Sequence, residues 1–133
     1  MNPISDLAES LRTMNPVLNP GTYVFASVKH GVSIEPELIL ASIRESEGLS
    51  VVMNEAAAEN RNLEPLFRCA WITLSVNSDL QSVGLTAAFA TALGNAGISC
   101  NVFAGAYHDH IFVPVDLAEK AMHELRSLQE RVS

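Results

Sequence analysis

The chain has 133 residues, 48% of them hydrophobic, and carries eight Lys plus Arg against fifteen Asp plus Glu, a formal charge of −7 at neutral pH. That length suits a compact protein able to bury roughly two thirds of its unfolded surface. The acidity disfavours phosphate backbones and anionic lipid surfaces, so neither nucleic acid nor membrane is expected as a partner.

Ile4, Leu7, Ala8, Leu11 and Met14 recur at helical spacing and predict an amphipathic helix that Pro16 and Pro20 end. Gly21 to Val28 has the aromatic and β-branched content of a strand, with Lys29-His30-Gly31 as its turn. Ile34 to Glu37 contains Pro36 and reads as loop. Leu38 to Glu45 is read as a strand, although Glu37, Leu38, Ala41, Ile43 and Arg44 also fit a helix. Ser46-Glu47-Gly48 then turns a hairpin into Leu49 to Met53. Asn54 caps a short helix from Glu55, its oxygen placed three positions before Ala57.

Leu66 to Val76 reads as one long strand linking the halves, its Trp71 to Val76 part alternating between unequal faces. After Asn77, Ser78 and Asp79 the period changes. Leu85, Phe89, Ala92, Leu93 and Ala96 mark one apolar helix face, and Gly97 stands where a helix stops. Ile98 to Ala104 and His110 to Val115 read as strands joined by Gly105 to Asp109, with Pro114 requiring an edge or a strand end. Leu117 to Glu130 closes the chain as a helix with Leu117, Ala121, Leu125 and Leu128 inward, and Arg126 and Arg131 toward its C-terminus. Cys69 and Cys100 fall on expected strands and lack metal-motif spacing, so they read as buried small hydrophobes.

The runs GTYVFASV, EGLSVVMNEAAAE, WITLSV, SVGLTAAF, GISCNVFAG and YHDHIFVPVD resemble the ACT-domain family, in particular small bacterial ACT-like proteins built of two units in tandem. The resemblance covers nearly the whole chain. It implies an α+β fold, a ferredoxin-like (βαββαβ-type) ACT-like tandem repeat with antiparallel sheets and helices packed on one face. Units at 1–68 and 69–133 are expected. On sequence the first lacks an initial strand and the second ends in a helix with no strand after it, so shared strands are expected. The resemblance also implies a non-catalytic, regulatory protein without cofactor that binds an amino acid or similar small metabolite. A homo-oligomer is expected, and a separate protein partner would be needed to report binding. No charged-then-apolar leader and no apolar run of bilayer length is seen, so a cytoplasmic location is expected.

In the resembling family the effector lies between paired units, against the loop from first strand to first helix and the start of the next strand. Carried over, this implies ligand contacts from Asp79, Gln81, Ser82, Val83, Gly84 and Leu85, and from Ile98 and Ser99. Where many family members have Gly-x-Asn, this chain has Gly97-Ile98-Ser99, and Asn101 is the nearest asparagine. Physically, Gly84 removes a side chain where a ligand approaches backbone. Unpaired N–H groups of the first helical turn favour a carboxylate, and Asp79 can accept from an α-ammonium. The alternative is that Ser78, Asp79 and Ser82 cap the helix while Gly84 permits close helix packing.

His108 and His110 would share a face roughly 7 Å apart on a strand, a spacing that suits two metal ligands. A third from His30, Asp109 or Asp116 would have to converge, and Asp109 points the other way on a regular strand. The other readings are hydrogen bonds that fix the hairpin, an interface, or a small-molecule contact through His108. There is no Gly-x-Ser-x-Gly elbow, P-loop or dinucleotide fingerprint, so no catalytic residue and no metal ligand is assigned. A small metal-assisted enzyme centred on His108 and His110, or a purely structural oligomerisation module, are the competing functions.

Overall fold

Alternation along Tyr23–Val28 sends Val24, Ala26 and Val28 to one side of a strand and Tyr23, Phe25 and Ser27 to the other, and the rest of the sheet follows this division. The structure is a computed structural model that describes residues 3–75 and 84–131. In chain order it contains α1 (Pro3–Thr13), β1 (Pro16–Leu18), β2 (Tyr23–Val28), a 3-10 turn at Pro36–Leu38, β3 (Ile39–Glu45), β4 (Gly48–Asn54) and α2 (Glu55–Asn60). There follow β5 (Phe67–Leu74), α3 (Leu85–Asn95), β6 (Asn101–Ala104), β7 (Asp109–Pro114), a second 3-10 turn at Val115–Leu117 and α4 (Ala118–Glu130).

Among the described residues, seven strands form one sheet in the order β3-β4-β2-β5-β7-β6, with β1 also beside β5. Every pairing is antiparallel. On one side β5 pairs with β2 through Phe67, Arg68 and Cys69 and then with β1 through Ile72, Thr73 and Leu74. On its other side it pairs with β7 from Cys69 to Leu74. Each half therefore has the strand order of a ferredoxin-like unit: β3-β4-β2-β5 in the first and β6-β7-β5-β1 in the second. The strand β5 ends one unit and begins the other.

This corrects the reading of the incomplete halves. The first half does have its initial strand, β2, and what it lacks is a full first crossover helix, reduced to the 3-10 turn at Pro36–Leu38. The second half takes its fourth strand from Pro16–Leu18, a three-residue stretch that sequence reading treated only as a helix end. Smaller differences follow the same local chemistry. The strand expected from Ile98 begins at Asn101, because Ile98 N–H still bonds Leu93 at 2.9 Å and closes α3. Asn54 Oδ1 accepts from Ala56 N–H at 3.0 Å, one residue earlier than expected.

All four helices lie on one face of the sheet. Over the second half, Ala70, Ile72, Leu74, Ile111 and Val113 meet Leu11, Met14, Phe89, Leu93, Ala121 and Leu125. Over the first half, Val24, Ala26, Val28, Val51 and Met53 meet Ala58 of α2. The opposite face carries Phe25, Phe67, Trp71, Phe103 and Phe112. Phe25 of β2 and Phe103 of β6 lie 6.2 Å apart by ring centroid. Two strands stand between them, so flat strands would be separated by roughly 14 Å. The sheet therefore curls round its aromatic face, which is how Val52, Cys69 and Phe112 become buried with no helix over them.

Candidate ligand-binding site

The start of α3 is set by Gly84, whose φ of +106° is left-handed and favours glycine. A Cβ there would also stand 3.3 Å from Leu7 Cδ2, so Gly84 lets α1 pack against the head of α3. Ala88 N–H bonds Gly84 C=O at 2.9 Å and opens the helix ladder, and Gly84 has no side chain with which to cap the turn. Leu85 is only 6% exposed and belongs to the core, so this residue can offer a ligand only its backbone. Asp79, Gln81, Ser82 and Val83, with Ser78, lie outside the described residues. Beside Gly84 a groove of about 680 Å³ runs between α1, α3 and α4, lined by Leu7, Ala88, Ala92, Leu128, Glu124 and Arg131 among others.

The other expected contacts sit elsewhere on the second half. Ile98 is buried in the core, and Ser99 is exposed ahead of the strand. Asn101 is exposed opposite Phe112, level with Trp71. Trp71 is three residues from the end of β5, about 10 Å along the strand. Within one chain, therefore, Gly84 and the Ile98-Ser99 segment lie toward opposite ends of the sheet. Only a second copy could set both against one ligand. His108 is exposed in the β6–β7 connection and lies at the end of the sheet where β5 finishes, because Asp109 pairs with Leu74.

His110 faces the aromatic side. Trp71 Nε1–H donates to its Nδ1 at 3.1 Å, and Thr73 Oγ1 lies 3.3 Å from the same nitrogen. An indole N–H only donates, so Nδ1 accepts and the ring proton sits on Nε2. Asn19 holds the arrangement from the β1–β2 link, its Nδ2 donating to Thr73 Oγ1 at 2.9 Å and to Trp71 C=O at 3.2 Å. Burial lowers the pKa of His110, the nearby His108 lowers it further, and Asp109 works against both. These partners are far apart in sequence and become neighbours only through the β1–β5 and β5–β7 pairings, so no local motif announced them.

The rings of His108 and His110 are 6.4 Å apart and nearly perpendicular. Asp109 turns to the helix side, where it is 3% exposed and burial raises its pKa, with His110 lowering it in part. Among the described residues no three of His, Cys, Asp and Glu gather as a metal site, so the two histidines have no third ligand there. Cys69 and Cys100 are free. Burial pushes their thiols up to about 12 and about 11, which leaves both protonated and poor nucleophiles.

An ACT-domain family model matches residues 2–70 and a second ACT-domain model matches residues 66–127. The chain belongs to the ACT-domain family and carries two ACT-type units in tandem. A Vibrio cholerae protein of unknown function, described as a possible transport protein, is 43% identical over 96% of this chain and 99% of its own, with a TM-score of 0.84. An Agrobacterium tumefaciens protein shares the fold at 17% identity over 86% of this chain and 87% of its own, TM-score 0.63. The ligand-free regulatory subunit of Thermus thermophilus aspartate kinase does so at 11% identity over 87% and 97%, TM-score 0.62. No curated protein matches. Among the described residues no helix is long and apolar enough to cross a membrane.

Proposed function

We propose that this protein is a non-catalytic regulatory ACT protein that binds an amino acid or related carboxylate at the head of α3. The observation that carries the reading is Gly84: its left-handed turn opens a helix that has no side-chain cap among the described residues, so its first-turn N–H groups suit a carboxylate. Asp79 accepts from the α-ammonium, and Gln81, Ser82, Val83, Leu85 and His108 complete that end of the site. Ser99 and Asn101 of a second copy close it, with Ile98 held in that copy's core beneath them, which makes a homo-oligomer the working form. Two units, 1–68 and 69–133 along the chain, share β5, and the second completes its sheet with β1 from the first stretch. The protein acts in the cytoplasm, and a separate protein partner reads the ligand-dependent change. Such a change occurs only to the extent that the ligand's affinity differs between conformations.

Thermal unfolding with each of the common amino acids tests this directly. A ligand at about 100 times its dissociation constant adds roughly 2.7 kcal/mol, which raises the midpoint by several degrees in a chain of this size. The expected result is a selective rise that is lost in Asp79→Ala and in Gly84→Val. A rise that survives Asp79→Ala moves the site elsewhere. A flat response to every compound, with the oligomer fully assembled in light scattering, leaves a purely structural module as the function.

A further inference from the structure

The outer side of α3 carries no charge. Its sequence from Leu85 to Asn95, LTAAFATALGN, is uncharged and mostly apolar on every side, and Ala87, Thr91 and Asn95 stand exposed on it. A surface helix ordinarily turns charged residues to water, as α4 does with Glu119, Lys120, His123, Arg126 and Glu130. A helix that is apolar all round belongs under cover. In a chain of formal charge −7, this side of α3 is also a face on which two copies meet without stacking like charges.

That side is the floor of the groove of about 680 Å³, and Glu124, Leu128 and Arg131 of α4 form one wall of it. The helix α4 starts beside the tail of α3, where Lys120 Nζ donates to Ala96 C=O at 2.8 Å, and the two helices run antiparallel along the groove. Arg131 lies eleven residues beyond Lys120, and α3 is itself 11 residues long, so Arg131 stands level with the head of α3 and Glu124 nearer its tail. The wall therefore has an acidic end and a basic end, about 10 Å apart at the helical rise, with the half-buried Leu128 between them. Neither end is paired. Glu124 and Arg131 make no ion pair among the described residues, where the Arg131 side chain donates only from Nε, to Ser127 C=O at 3.4 Å.

We propose that a second copy of this chain fills the groove, related by a two-fold axis that sets the α4 wall of each copy on the α3 floor of the other, with the two α4 helices antiparallel. A two-fold contact requires that where one residue meets a second, the second also meets the first. This wall meets that condition with itself. Glu124 of one copy faces Arg131 of the other at both ends of the contact, and the Ser127-Leu128 step lies midway, at the axis. The small residues of the floor let α4 of the other copy approach closely. A partner helix of a single charge would satisfy only one end of the wall. The interface stands on the helix layer alone and forms without ligand. The same operation carries the tail of α3 in one copy, with the Ser99 that follows it, toward Gly84 of the other, which is the juxtaposition that the proposed ligand site requires.

Sedimentation equilibrium of the ligand-free chain tests the assignment, with circular dichroism to check that each variant is folded. Wild type is expected as a dimer. Glu124→Arg and Arg131→Glu each set like charges together at both ends and should weaken it by roughly tenfold or more. The decisive sample is their equimolar mixture, in which the wall of one chain carries two positive charges and that of the other two negative. Both ends then pair again, and a dimer of near wild-type strength is expected to return. Ala87→Arg, on the floor, should abolish assembly. The proposal is overturned if wild type is monomeric, if either reversal leaves the dimer as strong as before, if the mixture stays monomeric, or if the dimer survives Ala87→Arg. A dimer that follows the expected pattern while no amino acid shifts the unfolding of wild type supports the interface and overturns the ligand reading alone.

Discussion

The two halves share a strand order and differ in what covers it. Over the second half three helices, α1, α3 and α4, enclose one large cluster that includes Phe89, Leu93, Ile111 and Leu125. Over the first half the cover is the six-residue α2 and a 3-10 turn, and the buried cluster is small. Val32, Leu40, Ile43 and Leu66 remain exposed there. The same topology thus gives one half that is closed and one that is thinly roofed. Stability should be concentrated in the first of these conditions, and accessible apolar surface belongs to the second.

The comparison breaks first on the cores. Phe89→Ala removes a fully buried ring that α3 points into the cluster closed by three helices and is expected to cost about 3–5 kcal/mol. Met53→Ala is equally buried but lies under the thin roof, where neighbours can collapse into the space, and is expected near the low end of the roughly 2–5 kcal/mol range. Urea denaturation of both decides it. Equal losses would mean that the first half is packed as rigidly as the second.

A smaller effect sharpens the junction of α1 with α3. Gly84→Val places a β-branched residue at positive φ and a Cβ against Leu7, for an expected cost of about 1–3 kcal/mol. Leu7→Ala in the same chain should restore part of that loss if the contact with α1 contributes. No restoration would assign the whole cost to the backbone.

The smallest expected effect is a pH dependence in the His110 cluster. The folded pKa lies below the unfolded one, so the unfolded chain binds the proton more readily. The stabilising contribution is fully present above about pH 6.5, the ordinary histidine value, and is lost as pH falls through that value toward the lowered folded pKa. Protonation at Nδ1 would also set a proton against the Trp71 N–H. Denaturation midpoints measured from pH 8 to 5 should fall in wild type and fall less in His110→Gln. Parallel curves would remove His110 as the cause.

Much of this architecture was readable before any coordinates, because the periods were long and well punctuated. The helices at Leu85 and Ala118 announced themselves by their apolar stripes, and Gly97 ended α3 at φ +76° as its position suggested. The hairpin after Glu45 followed from Ser46-Glu47-Gly48. The strand Pro16–Leu18 was not readable, since three residues between prolines carry no period and their pairing lies entirely in a distant partner. The same reason hid Asn19, Trp71 and Thr73 around His110. Of the candidate ligand residues, Ile98 was drawn into the core, a competition that a strand-start motif does not reveal.

The short strand β1 also sets an order of events. Pro16 pairs with Leu74, 58 positions later, so on a ribosome the strand is made long before its partner exists. Closing a loop of that length costs conformational entropy that only the finished contact repays. The second half completes its sheet only when the chain's early residues return to it, so a nascent first half has a strand in hand with nowhere to put it.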